Sequence, residues 1–75
     1  MKQQYQSLSL VAGANLKRLI KEANMTQEEA AEKLLLSEGS CIRRLVRNGI
    51  TKVDMIQDIA KRLDVPVWEL LKPLD

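Results

Sequence analysis

Three arginines, Arg43, Arg44 and Arg47, lie close together in a segment with helical spacing. A guanidinium group presents a planar fork of N–H donors that matches a guanine edge or a phosphate. Positions 37–52 contain four basic residues and one acidic residue, whereas positions 26–33 contain one basic and three acidic residues. The positive charge is therefore concentrated on one predicted helix. A helix with a cationic face is suited to enter a groove of DNA. The competing interpretation is an ordinary solvated helix face.

Other kinds of chemistry lack the residues they need. The 75 residues include no histidine and one cysteine, Cys41. The usual general base is absent, and neither a structural zinc site nor a disulfide framework is expected. No carboxylate pair or Gly-rich phosphate loop is evident, so neither an enzyme nor a cofactor is predicted. The single cysteine fits a reducing compartment, and without a secretory signal or long apolar run we expect a cytoplasmic protein.

Composition and periodicity predict a single all-α domain over residues 1–75, with an ordered core at about 9–72. Ser7 or Ser9 is expected to cap a first helix that ends near Asn24, a residue suited to the left-handed conformation. The apolar face of this helix is predicted to hold Val11, Leu16, Leu19, Ile20 and Ala23.

The segment at about 26–48 is predicted to form two helices around a tight break. Thr26 opens the second helix, because Glu29 three residues later completes a capping box, with Met25 packing before it. The third helix carries an apolar stripe and ends at Asn48 and Gly49. Its stripe consists of Ile42, Leu45 and Val46.

The C-terminal third is predicted to form a fourth helix and a short fifth helix. Thr51 is expected to cap the fourth helix, with Asp54 completing the box and with Val53, Ile56, Ile59, Ala60 and Leu63 on the core face. Pro66 is placed in the first turn of the fifth helix. The end of the chain is unusually apolar, so one part is expected to pack inward and the rest against a second copy. The dimerisation candidates are Trp68, Leu70, Leu71 and Leu74; the alternative is that all of them complete the monomer core.

These motifs resemble the phage Cro and repressor (XRE-like) type of helix-turn-helix protein. The resemblance rests on TQEEAAEKL at 26–34, a Ser-containing turn, an apolar-plus-arginine third helix, Asn-Gly, and IAKRLDVP at 59–66, and it covers about Leu16 to Leu71. It implies a compact bundle of five short helices of the lambda-repressor-like type. It also implies binding to operator DNA as a two-fold dimer, with the third helix in the major groove.

The centre of the segment departs from the family pattern. Leu35 stands where the family usually has Gly, and Val46 stands where it often has Glu. Ile42 falls one residue later than the family spacing expects, and a strict register would bury Arg44, which is implausible. We therefore infer one extra residue in the turn, near Glu38 and Gly39.

The candidate DNA-binding residues follow from this register. Arg43 is best placed for a base edge, Arg47 for phosphate and Arg44 for either. Glu38 can accept from a cytosine amino group or satisfy the helix dipole, and the resemblance gives Gln27 a phosphate contact. The full set is Gln27, Ser37, Glu38, Gly39, Ser40, Arg43, Arg44, Arg47, Asn48 and Lys52.

The sequence thus predicts a sequence-specific DNA-binding regulator, a small Cro-type repressor. Its expected partners are double-stranded DNA with a palindromic operator and a second copy of the chain, without a membrane or a small-molecule ligand. One alternative is a protein-interaction module on the same fold, such as an antitoxin or antirepressor. Another is the DNA-binding fragment of a larger regulator.

Overall fold

Five α-helices account for most of the described chain. The computed structural model describes residues 7–34 and 39–73, with the side chains of residues 39–41 excluded. The helices are α1 (Leu8–Glu22), α2 (Gln27–Lys33), α3 (Gly39–Asn48), α4 (Val53–Arg62) and α5 (Trp68–Leu71). The described ranges contain no strand, so the prediction of an all-α five-helix fold is confirmed. None of these helices combines the length and apolar character needed to cross a membrane.

The start of α2 is held by the predicted capping box. The Thr26 hydroxyl accepts from the backbone N–H of Glu29 at 3.0 Å, and the Glu29 carboxylate accepts from the N–H of Thr26 at 2.8 Å. These reciprocal bonds satisfy two amides that have no partner within the helix. Asn24 has a φ of 58°, which confirms the left-handed residue that ends α1.

The starts of two other helices correct three predictions. Ser7 precedes α1 but makes no side-chain cap; its hydroxyl pairs instead with that of Ser9 at 2.8 Å. Lys52, and not Thr51, occupies the N-cap of α4, again without a side-chain cap bond. Val53 is therefore the first residue of the helix, and its side chain is 76% exposed instead of lying in the core.

One apolar core joins all five helices. Helix α3 packs against both α1 and α2, and α1 also packs against α5. Ala23 was predicted in this core but is exposed, because it lies just beyond the last turn of α1. The core consists of Ala12, Leu16, Ile20, Ala30, Ala31, Leu34, Ile42, Ile50, Ile56, Ile59, Ala60 and Leu70.

Candidate nucleic-acid interface

Helix α3 has one buried and one cationic side. Ile42 is fully buried, and Leu45 and Val46 are half-buried against the core. The opposite side presents three exposed arginines, which are Arg43, Arg44 and Arg47. The predicted register of α3 is thus confirmed, since Ile42 and not an arginine fills the core. The extra residue inferred near Glu38 and Gly39 stays a prediction, because residues 35–38 lie outside the described part of the chain.

Gly13 allows α1 to approach the last turns of α3. A Cβ atom on Gly13 would collide with the carbonyl oxygen of Leu45 and lie 3.1 Å from that of Val46. It would also lie 3.2 Å from the Cα of Gly49. Because these neighbours are backbone atoms, they cannot move without moving α3. The close packing of α3 against α1 therefore requires a residue without a Cβ atom at position 13.

The chain leaves α3 through a second close contact with α1. Gly49 has a φ of +96°, and a Cβ there would lie 2.7 Å from the carbonyl oxygen of Ser9. That same carbonyl accepts from the N–H of Ile50 at 2.9 Å. The predicted stop at Gly49 is confirmed, and it fixes the C-terminal end of α3 to the first turn of α1.

A groove between α1, α2 and α3 brings Gln27 next to two of the arginines. Its volume is about 210 Å³, and its polar rim consists of Lys17, Gln27, Arg43 and Arg47 above an apolar floor. Lys17 was not among the predicted DNA-binding residues, because the sequence showed only that it lies off the apolar face of α1. A rim of three cations and one amide is suited to an anion such as a backbone phosphate.

A second depression lies along α3 itself. It has a volume of about 190 Å³ and is lined by Arg43, Arg44, Arg47 and Asn48. No carboxylate of the described residues lies within ion-pair distance of these arginines. Lys52 is exposed at the N-cap of α4 and lines neither depression. The two depressions share Arg43 and Arg47, so they form one continuous cationic face.

Some of the candidate DNA-binding and dimerisation residues cannot be placed in the structure. Ser37, Glu38 and Leu74 lie outside the described residues. Gly39 and Ser40 belong to the first turn of α3, but their side chains are not described. Their proposed roles stay predictions.

The structure corrects one dimerisation residue. Leu70 is fully buried in the monomer core, so its side chain cannot contact a second copy. Trp68 is 58% exposed, and the ammonium group of Lys72 lies 5.6 Å from the centre of its ring. Leu71 is half-buried at the edge of the core.

A buried polar side chain, which the sequence analysis did not single out, fixes α5 to α1. Asn15 is 1% exposed, and its side-chain amide donates to the carbonyl oxygens of Leu70 at 3.0 Å and Lys72 at 2.9 Å. Its own oxygen accepts from Arg18 at 3.3 Å. A buried amide is tolerated only when it is hydrogen-bonded, and here it satisfies carbonyls at the end of a helix. The available signal was an asparagine inside the apolar face of α1.

An ion pair supports the same junction. The Arg18 guanidinium lies 2.9 Å from the Glu69 carboxylate and also donates to the Glu69 backbone carbonyl. This hydrogen bond holds the pKa of the Glu69 carboxyl below its usual value and raises the pKa of Arg18. Helix α1 is thus fixed to the end of α3 through Ser9 in its first turn, and to α5 through Asn15 and Arg18 further along the helix.

Acidic and sulfur side chains form no metal site in the part of the chain that the structure describes.

Comparison with protein families identifies this arrangement. A family model described as helix-turn-helix matches residues 16–70. The chain belongs to the helix-turn-helix family. Helices α2 and α3 are the two helices of this motif, and the predicted resemblance to the Cro and repressor (XRE) type is confirmed at the level of the family.

A solved structure supports the same helix-turn-helix fold. It is titled as the crystal structure of a hypothetical transcription factor, NHTF, from Neisseria. The TM-score is 0.78 with 23% sequence identity, over 97% of this chain and 84% of that chain. A search of curated proteins gave no match. The likeness at this identity establishes the fold, and the family match makes the chain a DNA-binding regulator at that coarse level.

Proposed function

We propose that this chain is a sequence-specific transcription regulator whose helix α3 enters the major groove of double-stranded DNA. One observation carries the proposal: α3 buries Ile42 and presents three arginines on its outer side, with no described carboxylate to neutralise them. Unpaired guanidinium groups on an exposed helix repel one another unless an anion lies between them. Duplex DNA supplies phosphates around the groove and guanine edges within it.

The arginines divide into two roles in this proposal. Arg43 reads a base edge, Arg47 binds phosphate, and Arg44 can do either. Gln27 joins the phosphate contacts from the start of α2, where the capping box uses the amides of Thr26 and Glu29. Lys17 is a further phosphate contact, supported by its position on the rim that Gln27 shares with Arg43 and Arg47.

The finer proposal is a small Cro-type repressor. Such a protein acts by occupying an operator that overlaps a promoter, and a dimer on a palindromic site doubles the contacts. The support for this step is the resemblance to the family and the apolar surface that the fold leaves exposed.

The phosphate role is tested by the salt dependence of binding to a duplex of random sequence. Each lost phosphate contact reduces the slope of log K against log salt by about 0.9. We expect this reduction for Arg47→Ala and for Lys17→Gln. Lys61→Gln is the matched control, because Lys61 is an exposed lysine beside Asp54 and Asp58 on α4. Equal slopes for all four proteins would contradict the proposed face.

The base-reading role needs a preferred duplex, obtained by selection from a random library. Arg43→Ala should cost about 1–3 kcal/mol on that duplex and relax the preference at one base pair. Arg47→Ala should instead weaken specific and random duplexes alike. Identical behaviour of both variants on both duplexes would show that the division of roles is wrong. Absence of any DNA binding would favour the protein-interaction alternative.

A further inference from the structure

The last residue of α3 begins a chemically reactive dipeptide. Asn48 is followed by Gly49, whereas the other two asparagines, Asn15 and Asn24, are followed by leucine and methionine. The backbone nitrogen of the residue after an asparagine can attack the side-chain carbonyl carbon of that asparagine. Glycine hinders this attack least, because it has no Cβ atom and reaches backbone conformations that are closed to other residues. Asn48 is therefore the asparagine of this chain most suited to the reaction.

The structure places the Asn48 side chain among the arginines. The residue is exposed and lines the depression of about 190 Å³ along α3 together with Arg43, Arg44 and Arg47. A carboxylate at this position would lie one helical turn after Arg44, a spacing at which opposite charges pair. Conversion of this one amide into an acid would thus change the charge of the surface that is proposed to meet phosphate.

The folded end of α3 restrains the attacking nitrogen. The N–H of Gly49 donates to the Leu45 carbonyl at 2.9 Å, and the N–H of Ile50 donates to the Ser9 carbonyl at 2.9 Å. Attack requires the Gly49 nitrogen to lose its proton and to turn toward the Asn48 side chain, so the first of these bonds must break. Local opening of a helix end costs less free energy than unfolding of the whole domain. The reaction should therefore proceed through an opened end of α3.

We propose that Asn48 is a site of spontaneous deamidation that inactivates the cationic face. The Gly49 nitrogen attacks Cγ of Asn48, the new N–Cγ bond closes a succinimide ring, and the amide leaves as ammonia with the proton that the nitrogen has lost. Water then opens the ring. Cleavage of the N–Cγ bond gives aspartate, and cleavage of the bond between the nitrogen and the backbone carbonyl carbon gives isoaspartate. Nothing is oxidised or reduced, and the net change is the exchange of ammonia for water.

Both products carry a negative charge where the chain had a neutral amide. This charge repels phosphate and competes with it for the guanidinium of Arg44. Isoaspartate also adds a backbone atom before Gly49, at a place where even a Cβ on that glycine would lie 2.7 Å from the Ser9 carbonyl oxygen. The effect on DNA rests on the proposed function, whereas the chemistry of the dipeptide does not.

The first experiment measures the chemistry without DNA. The purified chain is incubated in mildly alkaline buffer with and without denaturing urea, and peptide mapping by mass spectrometry follows conversion at each asparagine. Asn24 is the internal control, because it is also exposed at a helix end, and the N–H of the following Met25 is also bonded, to the Ile20 carbonyl at 3.1 Å. In urea, Asn48 should convert faster than Asn24. In the folded chain it should still convert, about tenfold or more slowly than in urea.

Two results of the peptide map would overturn the proposal. Equal rates at Asn48 and Asn24 in urea would show that the following glycine confers no reactivity. Complete absence of conversion at Asn48 in the folded chain would show that the end of α3 does not open far enough for the attack. An equal rate at Asn48 with and without urea would overturn the proposed restraint by the Gly49 hydrogen bond.

The second experiment measures the consequence for binding to a duplex of random sequence. Asn48→Asp supplies the charge of the product, and Asn48→Ala removes the amide without adding a charge. The slope of log K against log salt should fall by about 0.9 more for Asn48→Asp than for Asn48→Ala, the equivalent of one phosphate contact. Gln57→Glu is the matched control, because this exposed amide lies beside Lys61 on α4 and lines neither cationic depression. It should retain the slope of the unaltered chain.

The two experiments separate this proposal from the proposed function. Equal slopes for Asn48→Asp and Asn48→Ala, in a chain that binds DNA, would overturn the inactivation of the face by the new charge. An unaltered chain that binds no duplex would overturn the proposed function and the inactivation with it. The peptide map would still decide whether Asn48 deamidates, because that measurement involves no DNA.

Discussion

Substitution of Gly13 by alanine tests how α3 is positioned. Considered only as a residue inside a helix, alanine is favoured over glycine by about 1 kcal/mol. The structure predicts that Gly13→Ala is destabilising instead, because the new Cβ would collide with the Leu45 carbonyl oxygen and lie 3.1 Å from that of Val46. Overpacking typically costs about 1–3 kcal/mol. The cost should reach the upper part of that range, since the neighbours are backbone atoms of α3.

We therefore expect Gly13→Ala to lower the free energy of unfolding by about 1–2 kcal/mol, after subtraction of the propensity gain. For a domain of this size each kcal/mol corresponds to a shift in Tm of about 4–8 °C. Thermal unfolding followed by circular dichroism measures this change. Because α3 must move to admit the methyl group, the same variant should also bind duplex DNA more weakly at a temperature where it is folded.

The neighbouring residue provides the control. Ala14 is half-buried on α1, and Ala14→Gly should cost about 1 kcal/mol through helix propensity, without displacing α3. Its DNA affinity should stay near that of the unaltered chain. A higher Tm for Gly13→Ala, or unchanged DNA binding in the folded variant, would show that this glycine does not determine how closely α3 packs against α1.

Three further changes test the contacts that hold α1 in place. Asn15→Ala should lower the free energy of unfolding by about 1–3 kcal/mol in a denaturant titration, because the buried carbonyl of Leu70 and the part-buried carbonyl of Lys72 lose their donor; an unchanged midpoint would contradict this. Gly49→Ala should be destabilising by at least about 1 kcal/mol, since its φ of +96° is strained for alanine and the Cβ meets the Ser9 carbonyl; a neutral effect would show that the turn relaxes. The pairing with Arg18 lowers the pKa of the Glu69 carboxyl in the folded state. The ion pair therefore stabilises the fold fully above the pKa that Glu69 has in the unfolded chain, about 4.3, and this stabilisation is lost as the pH falls through the lower pKa of the folded state. The stability difference between the unaltered chain and Glu69→Gln should therefore disappear on acidification, and a constant difference would exclude the ion pair as its source.

Much of the local structure could be predicted from the sequence, because its causes are local. The capping box of Thr26 and Glu29 needs a spacing of three residues, and the left-handed residues Asn24 and Gly49 follow from their types. The exposure of Arg44 followed from the cost of burying a guanidinium group. The family match then confirmed the fold that these elements imply.

The features that were missed depend on contacts between distant parts of the chain. Asn15 bonds with carbonyls 55 and 57 residues away, so no local spacing reveals its partners. Leu70 is buried in the core and its carbonyl accepts from Asn15, although the apolar end of the chain had made it a dimerisation candidate. Val53 matched the apolar spacing of α4, but it is the first residue of that helix and is 76% exposed. Lys17 joins Gln27 only when three helices come together.

The proposed function depends on the claim that α3 reads DNA sequence, and selection from a random duplex library by the purified chain tests this claim. We expect enrichment of a two-fold symmetric sequence, bound about 10³-fold or more above random DNA. We also expect Arg43→Ala to relax the preference at one base pair. Absence of enrichment, with weak salt-sensitive binding that Arg43→Ala does not alter, would contradict the claim and favour a protein partner for this face.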